Sequence, residues 1–289
     1  MILKQFQLII LSNLLLFLLS LNYYPQYSIP SSFKLEQRGN AVKLYKRTDK
    51  YGKKEWLQSI DLSAGAKVLL ILENKIDGQH HLPDPTFQRK DLSDIWKRVK
   101  RQYPGIFSLS SGAFFGWFTE TTARLPFPIK INSKIESCGF GDNKYNKMML
   151  ILNRKSAVLK PYNSNSTQYN DVSNQLPRSP NVLVGLEPLC NKDGWGSRRV
   201  GRTYIAIKDS PLKGSSRGDG IHESILIYHG HCTEKEAYQT LMSCGASKIM
   251  MLCGDAMSQL ICQDQSYRKT AEKLPQTIAV IEATSFALN

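Results

Sequence analysis

Three short stretches hold residues whose types and spacing suit chemistry. The first is Cys253-Gly254-Asp255-Ala256-Met257-Ser258, directly after the apolar run KIMML. Small residues such as Gly254 let a ligand approach the main chain, Asp255 offers a carboxylate for general acid or base work, and Ser258 offers a hydroxyl. A tight turn in which Asp255 satisfies its own backbone fits the same residues equally well. The second stretch, Ser110-Ser111-Gly112-Ala113-Phe114-Phe115, ends the run IFSLSS. Ser111 and Gly112 suit a place where backbone N–H groups face a ligand over a floor of aromatic rings, and they suit a β-bulge over a core almost as well. The third is Arg202-Thr203, after the basic segment GSRRVGR. An arginine at a strand mouth holds a phosphate through two parallel hydrogen bonds, a geometry that lysine lacks. The competing reading is a surface cation beside Arg198 and Arg199.

Other chemistries lack their residues. No glycine spacing of the Walker or Rossmann kind occurs, which counts against nucleotide hydrolases and dehydrogenases. GxSxG is absent, so a serine-hydrolase elbow is not expected. His229, His231 and Cys232 lie close together in YHGHC, but no CxxC pair and no fourth ligand accompany them. Neither a metal nor a cofactor is expected. Arg217-Gly218-Asp219, a tripeptide of cell-adhesion ligands, sits in a Gly/Ser-rich loop where it arises easily by chance.

The elements that must position these stretches follow from pattern. Residues 33–73 read as short strands, with a turn at Arg38-Gly39-Asn40. Leu92, Ile95, Trp96, Val99 and Tyr103 fall at helical spacing between a capping candidate, Asp91, and Pro104. Strands follow in IFSLSS, PIKINSKI and MMLILN, and residues near 161–181 turn polar, as a long insertion. TYIAIK and ILIYHG are strands. After them Thr233 and Glu236 have capping-box spacing, Ala237, Tyr238, Leu241 and Cys244 form one stripe, and Gly245 ends the helix. KIMML, QLIC and TIAVIEA complete the chain. A helix between two apolar strands with short loops predicts a βαβ crossover of strands buried on both faces. The expected fold class is α+β, a mixed sheet with a βαβ element in the C-terminal third, in one domain spanning 33–289.

The chain has 289 residues, enough for one domain at about 100–200 residues each, and its composition rules out wholesale disorder. Thirty-eight Lys and Arg against 24 Asp and Glu leave a net charge of +14, which favours anionic partners. Lys4 followed by the apolar run Leu8–Leu21 has the form of an export signal, cleaved or kept as a membrane anchor over residues 1–22. The expected location is therefore exported: periplasmic, secreted or membrane-anchored, with a membrane surface among the partners. Export allows disulfides among the six cysteines. Cys232 and Cys244 cannot pair across the intervening helix, whereas Cys253 and Cys262 flank a loop and a strand and so are close enough in sequence to pair. Nucleic acid is not an expected partner, since no recognition motif is present.

Taken in order, the three stretches resemble the phosphodiester glycosidase family. That family carries Asn-Gly-Gly-Phe-Phe after a strand, Arg-Thr opening a later strand, then a helix, a strand and Asp-Gly-Gly-Gly-Ser-Ser. SGAFF (111–115) matches with Ser111 for Asn and Ala113 for Gly, and Arg202-Thr203 matches unchanged. CGDAMS (253–258) keeps Gly254 and Ser258, with Cys253 where the family has Asp. The resemblance implies a phosphodiester glycosidase-like fold over roughly residues 105–285. It also implies a divergent exported hydrolase of a sugar-1-phosphodiester or related anionic glycan, with Arg202 on the phosphate and Asp255 as acid or base. Ser111, Gly112, Gly254 and Ser258 would bind substrate. The alternative is a catalytically inactive exported protein that binds anionic glycan or phospholipid head groups.

Overall fold

The computed structural model describes residues 29–284 except 77, 80, 142–144, 191–193 and 209–223. The expected export segment and the Arg217-Gly218-Asp219 loop lie outside the described residues. Among those described, no helix is long and apolar enough to cross a membrane.

Strands dominate the described residues, in three sheets whose ladders are all antiparallel there. The large sheet runs in the order β1 (Lys34–Gly39), β2 (Val42–Thr48), β3 (Lys54–Asp61), β15 (Ser224–Cys232), β14 (Val200–Lys208), β16 (Ala246–Gly254), β13 (Asn181–Leu186), β11 (Lys147–Leu152) and β12 (Ala157–Tyr162). The short hairpin of β9 (Ile129–Ile131) and β10 (Lys134–Ser137) joins it through β13. The second sheet runs β18 (Gln265–Arg268), β17 (Leu260–Cys262), β6 (Ile106–Ser111), β19 (Gln276–Ile281) and β4 (Lys67–Leu72). A small third sheet holds β5 (Thr86–Gln88), β8 (Thr122–Arg124) and β7 (Gly116–Trp117).

This architecture corrects the expected α+β fold. The helix that follows β15, Glu234–Ser243, does connect it to β16, but β15 and β16 do not pair with each other. β14 lies between them, antiparallel to both, over a nine-residue register with β15. The predicted βαβ unit is thus replaced by an antiparallel β-rich sheet, because the strand preceding β15 in sequence takes the central place.

The uninterrupted apolar runs do mark strands covered on both faces. Ile205, Ile207, Ile225, Ile227, Met250 and Leu252 face the second sheet and pack with Leu109, Ile278 and Val280. Tyr204, Ala206, Leu226, Tyr228 and Met251 face the other way, toward Ala237, Leu241 and Cys244 of the helix. That helix becomes α3, after α1 (Leu92–Gln102) and α2 (Tyr169–Gln175). α1 packs on β6 and β17, burying Leu92, Ile95, Trp96 and Val99, and α2 lies inside the polar insertion. The capping box of α3 is formed, with the Glu236 N–H donating to Thr233 Oγ1 at 3.2 Å and the Thr233 N–H donating to the Glu236 carboxylate at 3.0 Å. All six cysteines are free thiols, five of them buried and Cys190 half-buried.

Candidate functional site

Alternation along β14 decides what its two marked residues do. Arg202 and Thr203 are neighbours, so their side chains leave opposite faces of the sheet. Thr203 enters the space between the two sheets, where its Oγ1 lies 3.2 Å from Ser111 Oγ at the end of β6 and 2.9 Å from Ser258 Oγ. Its cross-strand partner on β15 is His229, whose Nδ1 lies 3.2 Å from the same hydroxyl. Cys253, opposite Thr203 on β16, donates its thiol to Ser111 at 3.2 Å, and the Gln259 N–H donates to the same Ser111 oxygen at 3.2 Å. The structure therefore brings Ser111, Cys253 and Ser258 together, as the sequence order suggests, and adds Thr203 and His229.

The directions of these bonds follow from counting protons. Ser111 Oγ accepts from Cys253 and Gln259, so its own proton goes to Thr203. Thr203 donates to Ser258, and Ser258 donates to the Arg202 carbonyl at 3.2 Å. With the Thr203 proton used, His229 Nδ1 must be the protonated nitrogen, and Nε2 keeps its lone pair buried without a partner. Burial first, and the charge of Arg268 second, push the His229 pKa down to about 3. Burial also raises the Cys253 thiol above its ordinary value. At neutral pH the chain thus consists of uncharged groups and ends on a main-chain carbonyl, with no carboxylate in it.

Arg202 stands apart from this group. Its guanidinium is fully buried on the α3 side, where Nε donates to the Cys232 carbonyl at 3.1 Å and Nη2 donates to the Trp195 and Arg198 carbonyls at 2.9 and 3.2 Å. Nη1 lies 3.6 Å from the buried Glu234 carboxylate at the start of α3, and the Trp195 ring stacks 4.6 Å away. The expected phosphate fork is therefore occupied by the protein itself. Trp195 also explains Gly254, since a Cβ there would meet the indole at 2.6 Å.

Asp255 opens a single 3₁₀ turn, Asp255–Met257, at the rim. It is exposed and holds a φ of +56°, a left-handed conformation that Asp tolerates better than most residues. It takes no part in the buried chain. Gly112 likewise faces protein: its N–H donates to the Gln276 carbonyl at 3.3 Å, and the Ala113 N–H donates to Gln276 Oε1 at 2.6 Å. The N–H groups expected to face a ligand are satisfied by that glutamine, which also fills the space a Cβ on residue 112 would need.

The cation at this site is Arg268, at the end of β18. Its Nε donates to the Ser258 carbonyl at 2.7 Å, its only hydrogen bond among the described residues, and it is half-buried. Burial lowers its pKa, with Cys253 and then Cys232, Tyr228 and Asp255 opposing, and an arginine remains charged throughout. Gly201 makes room for it, because a Cβ there would collide with Arg268 Nη2 and with the Asp255 carbonyl. Nothing local in QSYRK marks this arginine. The pairing of β17 with β18 through the turn Gln263-Asp264 delivers it.

No family model matches the chain, and no curated protein does so in sequence. Thirteen solved chains are similar in structure. One is a hypothetical protein from Synechocystis, at TM-score 0.49 and 11% identity over 88% of this chain and 69% of the other. Another is the catalytic domain of zebrafish N-acetylglucosamine-1-phosphodiester alpha-N-acetylglucosaminidase, auto-inhibited by its pro-peptide, at TM-score 0.49 and 11% identity over 89% and 86%. A third is a Burkholderia pseudomallei protein named as exported, at TM-score 0.46 and 12% identity over 79% and 74%.

Proposed function

We propose that this chain is an exported, non-hydrolytic binding protein for anionic glycan phosphoesters, held at the end of the sheets by Arg268. The observation that carries the reading is the hydrogen-bond chain from Cys253 to the Arg202 carbonyl. Hydrolysis of a phosphodiester-linked sugar needs a group that gives or takes a proton near neutral pH, and this run of hydrogen bonds offers none. His229 is neutral and too weak a base, the Cys253 thiol stays protonated, and every hydroxyl proton is committed. Beside it, the Arg268 guanidinium keeps donors for an anion next to the Ser258 main chain. The order of SGAFF, Arg-Thr and CGDAMS supports a sugar phosphoester as the ligand class, and the apolar run Leu8–Leu21 supports export.

The test uses methyl N-acetylglucosamine 1-phosphate with the full chain, followed by calorimetry and by release of free sugar. Binding without turnover is expected. Arg268→Gln should weaken binding by about 1.5–3 kcal/mol, the worth of a charge-assisted hydrogen bond. Arg202→Ala should instead unfold or severely destabilise the protein, since removing one partner of a buried pair costs about 3–5 kcal/mol. Turnover that disappears in Asp255→Asn while binding persists would establish the hydrolase and overturn this reading.

A further inference from the structure

A cavity of about 310 Å³ lies at the ends of β11, β12 and β13, lined by Tyr145, Asn146, Lys147, Tyr162, Asn163, Asn165 and Glu187. Lys147 pairs in register with Tyr162 on one side and Leu186 on the other, which sets lysine, tyrosine and the residue after Leu186 around one opening. β11 lies three strands from β14 in the large sheet, about 14 Å at 4.7–4.9 Å per strand. The cavity is therefore separate from the Ser111–Arg268 group.

Its polar atoms have orientations that chemistry fixes. The Lys147 ammonium can only donate, and it reaches the Ser164 carbonyl at 3.0 Å and Asn165 at 2.8 Å. The Asn165 oxygen must therefore face lysine, and its amide nitrogen is left as a donor. The Glu187 carboxylate can only accept, and it takes a hydrogen bond from Asn146 Nδ2 at 3.0 Å. That leaves the Asn146 oxygen and the second Glu187 oxygen as acceptors. Tyr162 also lines the cavity, and its buried hydroxyl lies beside Ser164 without a hydrogen bond of good geometry, a condition that leaves room for a better partner.

A donor, two acceptors and a poorly bonded hydroxyl around one cavity match groups that both donate and accept. Anions are disfavoured by Glu187 and cations by Lys147. We propose that this cavity binds a neutral sugar ring through its vicinal hydroxyls.

The full chain is titrated with glucose, galactose, N-acetylglucosamine and maltose, by saturation-transfer NMR and calorimetry. At least one should bind at millimolar strength, and Asn165→Ala and Tyr162→Phe should each weaken it about tenfold, the loss of one hydrogen bond. Tyr162→Phe should stay within a few degrees of the wild-type melting temperature, because its hydroxyl has no well-formed hydrogen bond to lose, so a tenfold weaker affinity with that melting temperature is not a folding defect. Arg268→Gln should leave saccharide binding unchanged, which separates this site from the proposed anion site. No saturation by any of the four sugars at about 10 mM, roughly ten times a millimolar Kd, would overturn the proposal. So would equal affinity in wild type and variants, or loss of binding in Arg268→Gln.

Discussion

One residue step along β14 separates a structural arginine from a threonine in the candidate site. Arg202 faces α3 and is consumed by carbonyls and Glu234, whereas Thr203 faces Ser111 and Ser258. The same face holds His229, and its burial has a measurable consequence. Burial pushes the folded-state pKa down to about 3 from the usual 6.5 of an imidazole in water. Between those values the unfolded chain binds a proton that the folded chain refuses, so stability is present above pH 6.5 and falls as the pH drops toward 3. The slope contributed is about 1.4 kcal/mol per pH unit. Urea midpoints measured from pH 7 to pH 4 should fall more steeply for wild type than for His229→Asn, and parallel curves would show that His229 titrates normally. Ser111 and Ser258 were legible in the sequence because SGAFF, Arg-Thr and CGDAMS follow one another in the order of the family pattern they resemble. The direction of the Arg202 side chain was not, since it depends on which face of β14 meets the second sheet. Arg268 was illegible for another reason: it arrives by strand pairing, with no local pattern to mark it.

At the scale of elements, periodicity and the Thr233–Glu236 capping box read true, Asp91 takes the N-cap position of α1 without a side-chain bond to it, and connectivity did not follow the sequence reading. Thr233 and Glu236 announce the start of α3, and Gly245, at φ +87°, announces its end. The apolar runs of β14, β15 and β16 announce burial on both faces, but a parallel sheet and an antiparallel sheet covered on each side demand the same sequence. Hairpins β9–β10 and β17–β18 turn through Asn132-Ser133 and Gln263-Asp264, all at positive φ and without glycine. The usual Asn-Gly or Asp-Gly signal is therefore missing, which hid β18. The bare backbone at Gly201 gives a test of how elements carry the site. Gly201→Ala should push Arg268 away and cost about 1–3 kcal/mol of stability, the range for overpacking. It should also weaken phosphoester binding as Arg268→Gln does, and unchanged affinity in a folded Gly201→Ala protein would show that Arg268 does not depend on this contact.

Over the whole molecule, two buried clusters share the central strands of the large sheet. Ile205 and Ile227 belong to the cluster between the sheets, and Tyr204 and Tyr228 to the cluster beneath α3. Opening either side therefore disturbs the same three strands, β15, β14 and β16. Native-state hydrogen exchange should show their amides exchanging only through global unfolding, while β1 at the sheet edge, where Leu35 is 45% exposed, opens locally. Amides of β14 exchanging as fast as those of β1 would mean that the two clusters unfold separately.

The six thiols turn this burial into a built-in clock. Cys138, Cys232, Cys244, Cys253 and Cys262 are sealed, and Cys190, half-covered, is held protonated by burial and by Glu234, its pKa pushed up to about 12. Alkylating reagents attack the thiolate, so the folded molecule is nearly inert to them. Mass added under native conditions then counts molecules that have opened, and the order in which cysteines are modified maps which side of the sheet gave way first.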